Sequence, residues 1–264
     1  LERHGEGLSR GMIVRQGADT SYSVVVAPPG VDRVFLHCPG ANDAYGADDL
    51  PYDQLDGAAL LHFGYPPLMR RMFADGGREL ETLLRRVRER GVVTSLDMAW
   101  VDPASDAGRA DWRALLGRCL PQVGLFLPSF DEMLLMLRSV SVAEAKLPPT
   151  GADVRALAGE LLDMGPALAG LKLGDRGFYV RVSDDARRLE RLMSLTRSDV
   201  DAWRGCEVYA PCFDVDVAGT TGCGDCTVAG FLAAIVHGQT LEASATTAVA
   251  VGACSVERAD PVSG

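Results

Sequence analysis

Residues Gly219 to Ala234 read GTTGCGDCTVAGFLAA, a glycine-rich turn that leads straight into a run of small apolar residues. From Thr227 to Val236 the only helix breaker is Gly230, so the spacing predicts a helix. Glycines at 222 and 224 let backbone N–H groups converge, and the helix adds the positive end of its dipole. A turn built this way binds anions. Asp225 falls in the first helical turn, where a carboxylate can cap the helix or, beside an anion cradle, accept a proton from a reacting group.

The rest of the chain bounds what such a turn can serve. With 264 residues, 47% hydrophobic and 23% charged, the sequence holds enough apolar material for one large core. A formal net charge of −10 excludes a general nucleic-acid or membrane-surface binder, which needs a basic face. Phosphate binding is therefore expected to be local. Lysine occurs only at 146 and 172, which makes a lysine inside a motif conspicuous. Seven scattered cysteines, an odd number, point to reduced thiols of a cytoplasm. Cys223 and Cys226 form a lone C-x-x-C without a second pair at zinc spacing, so no metal is expected there. No apolar stretch is long enough to span a bilayer.

Extended and helical signals alternate along the chain. Ser21 to Ala27, a turn at Pro28-Pro29-Gly30, and Arg33 to His37 predict a β-ribbon. Leu1 to Gly5 reads as the end of a helix stopped by glycine. Buried strands are expected at Ala58 to Phe63, Val92 to Leu96, Gly124 to Leu127 and Ala169 to Leu173, with a return strand at Phe178 to Val182. Helices are expected at 77–90, 109–120, 130–138 and 152–164. The charged stretch Asp184 to Asp201 reads as a solvated helix and loop. This alternation predicts an α/β fold whose mostly parallel sheet is covered on both faces, with ligands beyond the carboxyl ends of its strands.

Thr220-Thr221-Gly222-Cys223-Gly224-Asp225, followed by Val228-Ala229-Gly230-Phe231, resembles the carboxy-terminal signature of ribokinase (PfkB-type) carbohydrate kinases. The resemblance implies a ribokinase-like three-layer sandwich with a small β lid at about residues 20–40. It also implies an anion hole at Gly222, Cys223 (through its backbone N–H) and Gly224, with Asp225 as catalytic base. Leu171-Lys172-Leu173-Gly174-Asp175-Arg176-Gly177 is similar to the family's strand and turn beside ATP, which places Lys172, Gly174, Asp175, Gly177 and Thr221 at the nucleotide. A hairpin turn alone would also use this glycine pair. Ser129 and Glu132 match the family's N-x-x-E segment, with Ser where Asn is usual. Glu132 would help organise Mg2+, or equally cap its helix.

Phe35 to Asn42, Gly64-Tyr65-Pro66 and Ser95-Leu96-Asp97 fall in the family's order, making Asn42 and Asp97 candidates for substrate contact. An Asx-turn and a strand-end cap explain these two as well. His62 and His237 read as ordinary core or surface residues. The implied cofactors are ATP and Mg2+. Gly219 stands where the signature has Asp, so the resemblance does not extend to activation by a monovalent cation. Nucleotide is expected between Leu173-Gly174 and Gly222–Gly224, away from Cys206 and Cys212.

On this resemblance residues 1–264 form a single kinase domain without the family's N-terminal portion, which carries the first strand and a Gly-Gly substrate motif. The implied activity is transfer of phosphate from ATP to a hydroxyl of a small-molecule sugar or sugar acid, in a cytoplasmic homodimer with no nucleic-acid or membrane partner. A nucleoside kinase of the same family would share these motifs. A non-catalytic sugar or nucleotide sensor would not need to keep Asp225. A P-loop kinase is excluded, because no G-x-x-x-x-G-K-[ST] occurs.

Overall fold

A computed structural model describes residues 5, 7–9, 11–26, 34–138, 140–192, 194–195 and 199–258. The expected turn at Pro28-Pro29-Gly30 and the helix end at Leu1 to His4 lie outside those residues. Two strands, β1 (Tyr22–Val26) and β2 (Val34–Cys38), pair antiparallel as a ribbon with Tyr22 opposite Cys38 and Val26 opposite Val34. The remaining strands are β3 (Leu60–Phe63), β4 (Val93–Leu96), β5 (Leu125–Phe126), β6 (Leu168–Lys172), β7 (Phe178–Val182) and β8 (Glu207–Ala210). They form one six-stranded sheet in the order β3-β4-β5-β6-β7-β8. β3 to β6 run parallel, while β7 and β8 each pair antiparallel with the preceding strand.

The helices are α1 (Arg70–Phe73), α2 (Arg78–Glu89), α3 (Trp112–Cys119), α4 (Phe130–Arg138), α5 (Val142–Ala145), α6 (Gly151–Asp163), α7 (Ala186–Leu189), α8 (Cys223–Val236) and α9 (Leu241–Val256). In α2, Leu80, Leu83, Leu84 and Val87 recur at helical spacing and are fully buried, with arginines on the outer face. Side chains alternate across the sheet, as a pleated strand requires. Leu96, Phe126, Ala169 and Tyr179 join α2, α3, α4 and α6 in one apolar core. Val93, Leu125, Leu168, Phe178 and Val180 face α8 and α9 in the other. Helices over both faces make a three-layer sandwich, with the antiparallel ribbon as a small second sheet.

Two expectations need correction. Ala58 to Phe63 was expected as a buried strand, yet Leu60 and Leu61 are only half-buried. Among the described strands β3 has one neighbour, β4, and its other edge is open. The stretch from Asp184 to Asp201 is not simply solvated. Leu189, Leu192 and Leu195 are buried in the α8 and α9 core, because their spacing turns one apolar stripe inward while the charges face out.

α8 and α9 pack closely because small residues line their contact. A Cβ added to Gly230 would meet Val251 at 2.9 Å, and one on Gly252 would meet Thr227 Oγ1 at 2.5 Å. α8 is fixed to the sheet by Phe231, edge-on to Phe178 at 5.1 Å between ring centroids. Phe178 lies over Gly170, where an added Cβ would come within 2.6 Å of its ring. Gly230→Val is expected to separate the two helices and cost about 1–3 kcal/mol, the usual penalty of overpacking. Thermal unfolding checks it, and a melting temperature equal to that of the parent would refute the packing account.

Candidate functional site

Because β3 to β6 are parallel, their carboxyl ends deliver four chain segments to one edge of the sheet. Gly64 and Tyr65 follow β3, Asp97 follows β4, Ser129 and Glu132 follow β5, and Lys172 is the last residue of β6. α8 starts on the same edge. A Cβ placed on Gly224 would lie 3.8 Å from Lys172 Nζ, so the glycine turn sits over the lysine.

Lys172 is 9% exposed and Asp97 1%. The ammonium donates to both Asp97 oxygens, at 2.7 and 2.6 Å, and Asp97 Oδ1 also accepts the Met98 N–H at 2.7 Å. Burial raises the Asp97 carboxyl above its usual range, with Lys172 opposing. Burial also works against the Lys172 charge, but Asp97 and Glu132 outweigh it and hold the ammonium above its ordinary value. Glu132 Oε2 accepts the Ser129 N–H at 2.8 Å across the start of α4. Burial pushes its carboxyl up to about 7, with Lys172 lowering and Asp97 raising it. Ser129 also bridges to Lys172 as an extension of the β5–β6 pairing.

Gly222 caps α8 with left-handed backbone (φ 77°), a conformation that favours glycine. The first N–H groups of a helix have no intrahelical acceptor and point along its axis. Of the turn residues, the Cys223 N–H reaches the Thr220 carbonyl at 3.3 Å, and Thr221 is exposed. Asp225, in the first turn, is exposed and accepts a hydrogen bond from the Tyr65 phenol.

The other candidates are placed as follows. Gly174 and Asp175 are exposed in the turn between β6 and β7, and Gly177 closes it with φ 112°. Any Cβ at Gly177 would lie 2.1 Å from the Ala210 carbonyl, so the approach of β8 demands glycine. Asn42 is exposed in the short turn Gly40–Ala44, whose geometry rests on backbone bonds such as Tyr45 N–H to Asn42 O at 3.1 Å. No hydrogen bond among the described residues ties it to the cluster. Cys212, expected to stand apart from this edge, instead lies on it. Its Sγ is 3.5 Å from the Gly174 carbonyl, because the chain after β8 folds back across the turn.

Sequence reasoning missed Tyr65 as a partner of Asp225, and it read His62 as ordinary. His62 Nδ1 is 3.1 Å from Ser95 Oγ, and burial lowers its pKa against the pull of Asp97. Position at a strand end was the available signal for both. The donor chemistry also bears on magnesium. Among the described residues no three His, Cys, Asp or Glu side chains converge on a metal position. The oxygen donors that Ser129 and Glu132 bring to this edge are of the kind that suits a hard cation such as magnesium.

A family model described as "pfkB family carbohydrate kinase" matches residues 5–263. An uncharacterized sugar kinase of Archaeoglobus fulgidus is 22% identical over 237 residues, covering 90% of this chain and 76% of the relative. A candidate Ribokinase II from E. coli, in its apo form, superposes with a TM-score of 0.68 at 20% identity, over 94% of this chain and 68% of that one. The same protein in complex with ATP and Mg2+ superposes with a TM-score of 0.62 at 20% identity, over 88% of this chain and 64% of that one. The chain thus spans about two thirds of the length of those solved structures.

Replacing Lys172 alone would leave the Asp97 carboxyl buried without its partner. Lys172→Met is expected to cost about 3–5 kcal/mol, and the double variant Lys172→Met/Asp97→Leu to recover most of it. Denaturant unfolding of the parent and both variants tests this. A single variant as stable as the parent would show that the pair is not a stability determinant.

Proposed function

Because this chain belongs to the pfkB family of carbohydrate kinases, we propose that it transfers the γ-phosphoryl group of ATP to a hydroxyl of a sugar or sugar acid, with Asp225 as general base. The observation that carries this reading is the position of Asp225. It stands in the first turn of α8, beside the Gly222–Gly224 turn and on the edge that gathers the parallel strand ends.

In the proposed reaction the sugar hydroxyl oxygen attacks the γ-phosphorus, its proton passes to Asp225, and ADP leaves with the electron pair of the broken bond. The N–H groups of Cys223 and Gly224 with the α8 dipole stabilise charge on the transferring group. Lys172 supplies positive charge beneath the turn, and the Gly174–Gly177 turn with Thr221 borders the nucleotide. Magnesium, when bound with ATP, neutralises phosphate charge, and Ser129 and Glu132 stand where they can orient its water ligands. Asn42 and Asp97 fall to the acceptor side. Asp97 does so indirectly, since its oxygens are engaged by Lys172 and Met98.

The β1–β2 ribbon would close over the acceptor and exclude water. Its exposed Tyr22, Val24, Val34 and Leu36, which share one face, also suit pairing with a second copy of the chain. Light scattering should return a dimer, and Val24→Asp/Leu36→Asp a monomer. A monomeric parent would remove the homodimer from the reading.

Asp225→Asn keeps the shape of the side chain and an oxygen that can accept from Tyr65. Its melting temperature and ATP affinity should stay near the parent values while turnover falls roughly 10²–10⁴-fold. Screening sugars, sugar acids and nucleosides as acceptors finds the substrate, and near-normal turnover by Asp225→Asn would sink the base assignment.

Gly224→Val separates binding from folding. An added Cβ meets only the Lys172 side chain, at 3.7 Å or more, which is ordinary contact. The folded protein should therefore tolerate the side chain, while close approach of phosphate to the turn is blocked. ATP affinity is expected to drop about tenfold or more, equivalent to about 1.4 kcal/mol. Unchanged affinity by calorimetry would place the phosphates elsewhere.

A further inference from the structure

Tyr65 and Asp75 are the non-glycine residues with positive φ among the described residues. Tyr65, at φ 62° and ψ 43°, is the more demanding, since a bulky side chain is rarely found there. Such backbone persists only where its surroundings over-determine it. Here the next two residues, Pro66 and Pro67, are buried and open a short turn, and Leu68 N–H bonds back to the Tyr65 carbonyl at 3.0 Å. The left-handed residue turns the chain as it leaves β3 and sends the phenol to the start of α8. There it donates to Asp225 Oδ1 across 160 positions of sequence. Among the described residues no other group donates to the Asp225 side chain. Burial first, and then the Asp225 carboxylate, push the phenol pKa up, so the phenol keeps its proton and remains the donor.

We propose that Tyr65 is an acceptor-specificity residue, whose phenol donates to Asp225 Oδ1 and so weakens the carboxylate as a base toward water until a sugar hydroxyl displaces it. This rests on the reading of Asp225 as the base. A kinase holding ATP has a competing reaction. A water oxygen bonds to the γ-phosphorus, the bond to the bridging oxygen breaks with its electrons going to ADP, and the water proton goes to Asp225. A carboxylate already accepting a charge-assisted hydrogen bond is a poorer proton acceptor. A sugar can displace the phenol with binding energy from its other hydroxyls, whereas water brings no such energy. Displacing the phenol needs only rotation of the Tyr65 side chain, while its backbone stays held by the turn at Pro66 and Pro67.

The test of Tyr65 itself needs no sugar. Phosphate release from Mg-ATP by the full chain is compared between parent, Tyr65→Phe, Asp225→Asn and Tyr65→Phe/Asp225→Asn. Tyr65→Phe keeps the ring and should hydrolyse ATP about tenfold faster than the parent, a fraction of what a general base contributes. The double variant should lose that gain. Tyr65→Gly serves as a second variant, because glycine adopts the left-handed backbone without a Cβ penalty. A merely structural tyrosine would lower melting temperature and turnover together, and neither change accelerates hydrolysis. Hydrolysis by both Tyr65 variants at or below the parent rate overturns the proposal. Full sugar phosphorylation by Asp225→Asn would instead overturn the base reading, so the two failures are read from different variants.

Discussion

The carboxyl edge of the sheet is organised around one buried cation. An ammonium 9% exposed is tolerated only with a close counter-charge, and Lys172 finds it in Asp97, two strands away. To bring them together, β5 must end early between β4 and β6, and it does so after Phe126, where Leu127-Pro128-Ser129 turns into α4. That turn places Glu132 near the same ammonium. The pair thereby fixes the relative height of three strand ends. It also leaves the edge with more carboxylates than cations, since Glu132 and Asp225 join Asp97 around a single lysine. Because the Lys172 charge is already paired with Asp97, a polyphosphate approaching this edge depends chiefly on backbone N–H groups, on the α8 dipole and on its own divalent counter-ion.

Much of the fold was legible because its signals are local. Apolar runs bounded by glycine or proline, Gly91 before β4, Pro128 after β5 and Gly174 after β6, marked three strands, and the stripe of Leu80, Leu83, Leu84 and Val87 marked α2. What escaped were elements whose pattern depends on neighbours far along the chain. β8 is four residues, EVYA, and owes its existence to pairing with β7. α9 is built mainly from Ala, Thr, Ser, Val and Gly, and has no strong apolar stripe because its small side chains serve close packing on α8. Leu189, Leu192 and Leu195 were hidden among charges, although their spacing alone matches one face of a helical path.

The candidate site divides in the same way. The glycine turn and Asp225 could be read from consecutive residues, because an anion cradle is a property of one turn and one helix start. Lys172 and Asp97 were each singled out, but for separate roles. Their contact spans 75 positions, and nothing in either segment announces it. Tyr65 is the sharper case. The tripeptide Gly-Tyr-Pro suggests a loop, and only the fold reveals that its phenol ends on a carboxylate 160 residues later.

These long-range contacts can be precise because the helix that presents Asp225 is held from two sides, by the sheet and by α9. Gly170 admits Phe178, Phe178 receives Phe231 edge-on, and Gly230 and Gly252 let α9 close against the other face. Each is a place where the absence of a side chain on one element sets the depth of the next. A helix located this way has little freedom to rise or rotate, since interiors packed at crystal-like density resist sub-ångström shifts. By contrast, the two groups the chemistry would have to move, the Tyr65 phenol and the β1–β2 ribbon, are a side chain that can rotate off its acceptor and a two-stranded sheet. Rigidity is thus concentrated where a base and an anion cradle need fixed geometry, and compliance where an acceptor must enter.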